Sequence, residues 1–165
     1  MNRWGRIVTG AAAAVTLLLC ATPGTAAADD AVALNGTYTV VSDGQWAKTN
    51  YRYHDEATVT QTWTITSSCA TFQDCTGRVV SDAGWSADAV YASGRWRVRR
   101  TIENWQPCAD GTTAPGDQSF EFWRPRLELD DTRLVGWDRT TGPSGACGIN
   151  KWLNITMPLT LTRTP

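Results

Sequence analysis

Thr58-Val59-Thr60-Gln61-Thr62-Trp63-Thr64-Ile65-Thr66 places threonine at every even position and Val59, Gln61, Trp63 and Ile65 at the odd ones. Successive side chains of an extended chain point to opposite faces, so this period of two predicts a strand with a threonine face toward water and an apolar face toward a core. The alternation recurs in Gly36-Thr37-Tyr38-Thr39-Val40, and again near the C-terminus, where Leu159 and Leu161 alternate with Thr160 and Thr162. Between them Arg95, Arg97 and Arg99 alternate with Trp96 and Val98, and Ser93-Gly94 supplies the turn into that run. Phe120 and Phe122 lie on even positions whereas Leu127 and Leu129 lie on odd ones. A one-residue slip reverses every side chain, so this change of phase predicts a bulge or bend at Pro125.

Reading outward in this way gives about eight strands, near 36–42, 57–67, 75–81, 86–92, 95–103, 118–129, 132–140 and 150–163. No segment after residue 28 carries a helical period. Short turns such as Ser93-Gly94 and Asp130-Asp131-Thr132 favour an antiparallel meander. The expected fold class is all-β, an up-and-down barrel closed or nearly closed so that no edge strand is left exposed, with a β-sandwich as the alternative. The longest loops are expected at 43–55 and 104–117.

Arg3 and Arg6, the mostly apolar run from Ile7 to Ala21 and Ala26-Ala27-Ala28 read as a secretory signal peptide over 1–28, leaving 29–165 as a single β domain. The apolar run is interrupted by Thr9, Gly10 and Thr16 and stopped by Pro23-Gly24, short of the roughly 20 residues a bilayer needs, so no membrane span is predicted. Cys20, after Leu17-Leu18-Leu19, offers a lipid anchor as the competing reading; Leu19 disfavours it, because lipidation takes a small residue before the cysteine. Without Arg3 and Arg6, 13 basic residues face 16 acidic ones, a net charge of −3 that argues against sequence-independent binding of nucleic acid. A single histidine argues against histidine triads and multi-histidine metal sites, and no metal or cofactor is implied.

After residue 28 there are four cysteines, Cys69, Cys75, Cys108 and Cys147, an even number in an exported chain and hence two structural disulfides. Three pairings are open. Cys69 with Cys75 and Cys108 with Cys147 is favoured, closing loops worth about 2.4 and 4 kcal/mol in the chain-entropy picture. A C-x5-C pair lacks redox spacing, and no second close pair completes a zinc site.

Several candidates carry chemistry. His54 and Glu56 share a face of the chain, as a solvated loop. The glycines of 142–148 suggest a phosphate loop but lack its lysine, and Cys147 ties the segment down. Asp130-Asp131 and Glu121 with Glu128 are carboxylate pairs whose geometry for glycoside hydrolysis spacing alone cannot supply. Arg95, Arg97 and Arg99 form a basic ribbon that can dock an anionic surface, or else pair with cross-strand acids such as Glu121 or Glu128. Arg100 falls in register with Trp96, Val98 and Ile102, and so points inward, where it needs a carboxylate, an aromatic face or an anionic ligand. Gln61 likewise points inward. In a hollow barrel Arg100 and Gln61 would orient a ligand; in a filled one Arg100 pairs with an acid near one end. Trp63 and Trp96 are expected in the core, whereas Trp46, Trp105 and Trp152 lie in or beside loops and can bind. Trp152 shares its phase with Asn154 and Thr156, which are expected to face outward.

Asn35-Gly-Thr-Tyr38, Val41-Ser-Asp-Gly-Gln-Trp-Ala-Lys-Thr-Asn50, Asp55-Glu-Ala-Thr-Val59, Asp74-Cys-Thr-Gly77, Gly84-Trp-Ser-Ala87, Arg97-Val-Arg-Arg100, Asn104-Trp105, Pro107-Cys108, Asp110-Gly-Thr112 and Gly142-Pro-Ser-Gly-Ala-Cys-Gly-Ile-Asn150 together cover much of the chain after residue 28. In these motifs it resembles small secreted proteins of unknown function from mycobacteria and related actinobacteria. The resemblance implies secretion from such a cell and carries no activity, cofactor or catalytic residue. Gly36-Thr37-Tyr38 with Arg163 is similar, more weakly, to the lipocalin and avidin-like barrels, in which a late arginine packs over a glycine two residues before an aromatic. The resulting expectation is a secreted or cell-envelope domain that binds a lipid, glycan or protein without catalysis. A carboxylate-dependent hydrolase and a structural protein-interaction module are the alternatives.

Overall fold

The computed structural model describes residues 32–126 and 131–165. The expected signal peptide with Cys20, and Leu127, Glu128, Leu129 and Asp130, lie outside the described residues. The strands are β1 (Gly36–Ser42), β2 (Lys48–Thr49), β3 (Arg52–Tyr53), β4 (Val59–Thr71), β5 (Asp74–Ser81), β6 (Ser86–Ala92), β7 (Arg95–Pro107), β8 (Thr113–Trp123), β9 (Arg133–Thr141) and β10 (Asn154–Arg163). Eight of them pair antiparallel in the order β1-β4-β5-β6-β7-β8-β9-β10, and β10 returns to β1, closing the barrel. The sandwich alternative is thereby set aside. The short β2–β3 hairpin, inside the expected loop 43–55, extends the wall: Lys48 and Thr49 pair with Thr156 and Ile155 on the edge of β10 that β1 occupies further along.

The threonine strand behaves as its period requires from Thr60 to Thr66, but Val59, expected inward, is exposed because it stands at the first position of the strand. Thr60, Thr62, Thr64 and Thr66 are exposed while Trp63 and Ile65 are buried. Trp63 is 0% exposed and meets Trp85 and Phe120 edge to face, with centroids 5.3 and 4.8 Å away, and Phe122 lies beyond them at 6.3 Å. These rings, with Tyr38, Ile65, Val79, Leu134, Leu159 and Leu161, fill the barrel interior. A hollow barrel with a ligand beside Trp63 is therefore not what the chain builds.

Several boundaries differ from expectation. β7 and β8 run on to Pro107 and from Thr113, so the loop expected over 104–117 shrinks to a turn; the long hairpin is possible because β7 shifts register between Ile102 and Gln106. β8 stops at Trp123, short of the expected 129, and the chain is irregular from Arg124 through Pro125, whose missing N–H cannot continue a ladder. β10 begins at Asn154, not at 150. Asn154 is buried, not outward in solvent. The turn of the β2–β3 hairpin covers it: Asn154 donates its N–H to Asn50 Oδ1 at 3.0 Å and its amide to Thr141 Oγ1 at 2.7 Å.

Cys69 is bonded to Cys75 across the β4–β5 hairpin, and Cys108 to Cys147, tying the β7–β8 turn to the loop before β10. At the β4–β5 end of the barrel Leu34 plugs the interior, and Trp96 Nε1 donates to the Val32 carbonyl at 3.2 Å. Here Arg163 crosses Gly36, where an added Cβ would come within 3.2 Å of the guanidinium. Arg163 donates to both oxygens of Asp131 at 2.8 and 2.7 Å, and Tyr38 donates its hydroxyl to the same carboxylate at 2.8 Å. Burial pushes Asp131 upward, but the hydrogen bonds from Tyr38 and Arg163 outweigh it and hold the carboxyl below its ordinary range.

Candidate functional site

The opposite end carries a different interior. Pairing between β6 and β7 covers only Ala89–Ala92 against Arg95–Val98, so from Arg99 onward β7 leaves the β6 edge and the wall has a seam. Beside this seam the inward face of β6 carries the small Ala87, and the inward side chains of β7 and β8 next to it are polar. Arg100 lies over the Trp85 ring, 4.5 Å from its centroid, and donates from Nε to Gln118 Oε1 at 2.7 Å. Gln118 in turn donates from Nε2 to both oxygens of Asp138 at 2.9 and 3.1 Å, and Ser42 donates its hydroxyl to Asp138 Oδ2 at 2.8 Å. Arg100 makes no direct ion pair among the described residues, and the expected acid, Asp138, is joined to it only through Gln118. Next along the rim, Gln61 Oε1 accepts from Trp63 Nε1 at 2.9 Å and from Ser81 Oγ at 3.0 Å.

Burial governs the charges here. Asp138 is 2% exposed, and desolvation raises its carboxyl above the ordinary value despite the opposing hydrogen bonds of Gln118 and Ser42 and the charge of Arg100. Desolvation also lowers the Arg100 guanidinium, with the charge of Asp138 working against it.

The acceptors of this network are spent internally while its donors are not. Gln61 Oε1, Gln118 Oε1 and both Asp138 oxygens are occupied. Among the described residues the two terminal nitrogens of Arg100 and the amide nitrogen of Gln61 make no hydrogen bond, and the buried Trp85 Nε1 has no partner. A buried N–H without an acceptor is costly and calls for an explanation. Among the described residues Gln106 Oε1 is the one buried acceptor left over; it sits under Gly142.

The remaining sequence candidates separate. Trp105 stands on β7 and not in a loop; its ring packs so closely on Gly116 that an added Cβ there would fall 2.6 Å from the indole. Trp46 is 62% exposed and meets Tyr53 edge to face at 6.4 Å, and Trp152 is 51% exposed in the segment before β10. Neither touches the Arg100 network. His54 Nδ1 lies 3.1 Å from Glu56 Oε1 in an exposed loop. In the basic ribbon, Arg95 and Arg97 share Glu121 at 3.2 and 3.0 Å, and Arg95 also covers the Trp123 ring at 4.9 Å. Arg99 has no acidic partner among the described residues. Because these pairs are solvent-exposed, Glu121→Gln is expected to change stability by less than about 1 kcal/mol in urea unfolding. A larger loss would show that the ribbon is structural.

Gln118, Asp138, Ser42, Ser81 and Trp85 are the residues that sequence reading missed. Among the described residues no group of His, Cys, Asp and Glu gathers to hold a metal ion, and no helix is long and apolar enough to cross a membrane.

Fold and site together define the class: a closed eight-stranded antiparallel β-barrel, filled at one end and polar at the other. A solved structure described as the monomer form of the Mycobacterium tuberculosis PknI sensor domain has a similar fold, with a TM-score of 0.60 at 17% identity, covering 81% of this chain and 88% of that one. No protein-family model matches the chain, and no curated protein matches it in sequence.

Proposed function

We propose that this chain is an exported, non-enzymatic binding domain, delivered by the signal segment 1–28, whose ligand presents an anionic, acceptor-rich group to the seam between β6 and β7. The supporting observation is the asymmetry of the polar network: its acceptors are consumed by Trp63, Ser81, Arg100, Ser42 and Gln118, while Arg100, Gln61 and Trp85 keep free donors. A carboxylate or phosphate complements such a set, and the guanidinium fork matches either one. Asp138 and Gln118 act as the rigid support that holds Arg100 across Trp85. Two structural disulfides and a fold shared with a domain described as a sensor are in keeping with an envelope or extracellular site of action.

The test is a titration followed by the indole N–H resonance of Trp85 in a nitrogen-15 labelled sample. Dodecyl phosphate, inorganic phosphate and glucuronate are the three probes, which separate a lipid head group, a free anion and a sugar acid. At least one is expected to shift the Trp85 signal saturably in the native protein and to leave it unmoved in Arg100→Gln. No saturable shift with any of them would overturn the reading, as would equal shifts in the variant.

A further inference from the structure

Register across the outer wall brings together side chains that are far apart in the chain. Lys48 on β2 pairs with Thr156 on β10, Thr156 with Arg139 on β9, Arg139 with Ser119 on β8, and Ser119 with Arg99 on β7. The five form one transverse row in which a cation alternates with a hydroxyl. Adjacent strands lie about 4.8 Å apart, so successive cations stand about 10 Å apart along the row. Arg99 and Arg139 are exposed, and among the described residues neither has an acidic partner. They border one open groove of about 500 Å³ with Ser119, Asp117, Thr101 and, from the polar network, Arg100 and Gln118. Of the acids nearby, Glu121 is paired with Arg95 and Arg97, whereas Asp117, at the groove's edge, accepts only the neutral Thr101 hydroxyl at 3.0 Å. Trp137, two residues before Arg139 on β9, presents an exposed indole on the same face.

We infer that this belt is a docking surface for a linear acidic glycan carrying one carboxylate on every second sugar. Lys48, Arg139 and Arg99 take the carboxylates, Thr156 and Ser119 meet the sugar hydroxyls between them, and Trp137 offers a ring face to an adjoining sugar. The alternation favours a glycan over a polyphosphate, whose closely spaced charges would leave the hydroxyl positions facing anions. The belt's own cations and hydroxyls lie on the outer wall, and its Arg99–Arg139 groove reaches Arg100 and Gln118 at the seam.

The experiment is calorimetric titration of the protein with a hyaluronan oligosaccharide, which carries one carboxylate per disaccharide, beside a polyphosphate arm. The native protein is expected to bind hyaluronan with an affinity that falls as salt is raised, and the Arg99→Gln/Arg139→Gln double variant to bind it at least about tenfold more weakly. Arg52→Gln, which removes the same charge from the opposite face of the hairpin, is expected to stay within about twofold. All three arginines are exposed, so the midpoint of thermal unfolding should not move. Absence of hyaluronan binding, preference for polyphosphate, or an equal loss in Arg52→Gln would overturn the assignment.

Discussion

Trp63→Ala is expected to lose about 3–5 kcal/mol of stability, a large part of the roughly 5–15 kcal/mol that holds a domain together. The ring is fully buried on the inner face of β4 and is the hub on which Trp85, Phe120 and Phe122 all rest. Those partners belong to the β5–β6 turn and to β8, which lies across the barrel from β4, and Trp85 and Phe120 already stack on each other at 5.8 Å, so they cannot close over the space without dragging the walls inward. Truncation also removes the Nε1 donor that fixes Gln61 at 2.9 Å, loosening the rim. Urea unfolding read by far-ultraviolet circular dichroism checks this, with Trp137→Ala on the outer face as the comparison, expected to cost less than about 1 kcal/mol. A similar cost for the two would mean that Trp63 is not the hub of the core.

Gln118→Leu is expected to cost about 2–3 kcal/mol at neutral pH, because the apolar side chain leaves the buried Asp138 without two of its three hydrogen bonds and Arg100 without its acceptor. The loss should shrink in acid. Folding already holds Asp138 above its ordinary 3.8, so the folded state keeps this proton more tightly than the unfolded one. The carboxyl therefore favours folding at low pH, and that contribution fades as pH rises through its folded value. Removing the Gln118 donors raises the folded value further and widens the window over which stability falls with pH. Asp131 and Glu121 slope the opposite way, since their lowered values give stability that is lost on acidification. That slope is common to both proteins and cancels in the difference. Denaturant titrations at neutral and mildly acidic pH should show the gap between native and variant closing in acid; a gap independent of pH would show that Asp138 is not what Gln118 supports.

How much of this was legible follows from the period of the strands. Thr58 to Thr66, Arg95 to Arg99 and Leu159 to Thr162 each announced which side chains face the core, and the buried positions of Trp63, Trp96, Val98, Leu159 and Leu161 agree. The same parity placed Arg100 and Gln61 inward. It also contained Gln118, in step with Phe120 and Phe122, and Asp138, in step with Leu134 and Gly136, but a polar residue on an inner face does not name its partner. Strand ends were less legible, because β7 and β8 stabilise each other past the points where their own alternation fades. Glu121 as the acid facing Arg95 and Arg97 was foreseeable from its strand, since cross-strand partners come from adjacent runs.

Alternation, turns and cysteine spacing are local properties, written within a few residues of one another, and by themselves they determined an all-β meander with a threonine exterior, a tryptophan-centred core and two disulfides, with the choice of barrel over sandwich left to the pairing of β10 with β1. Register is not local. Which residue of β8 lies beside Arg99, and which of β9 beside that, depends on the closure of the ring and on the shift between Ile102 and Gln106. Only the tertiary structure could therefore join Arg100 to Asp138 through Gln118 across three strands. Only it could set Lys48, Arg139 and Arg99 in one row, though 91 positions separate Lys48 from Arg139 in the chain.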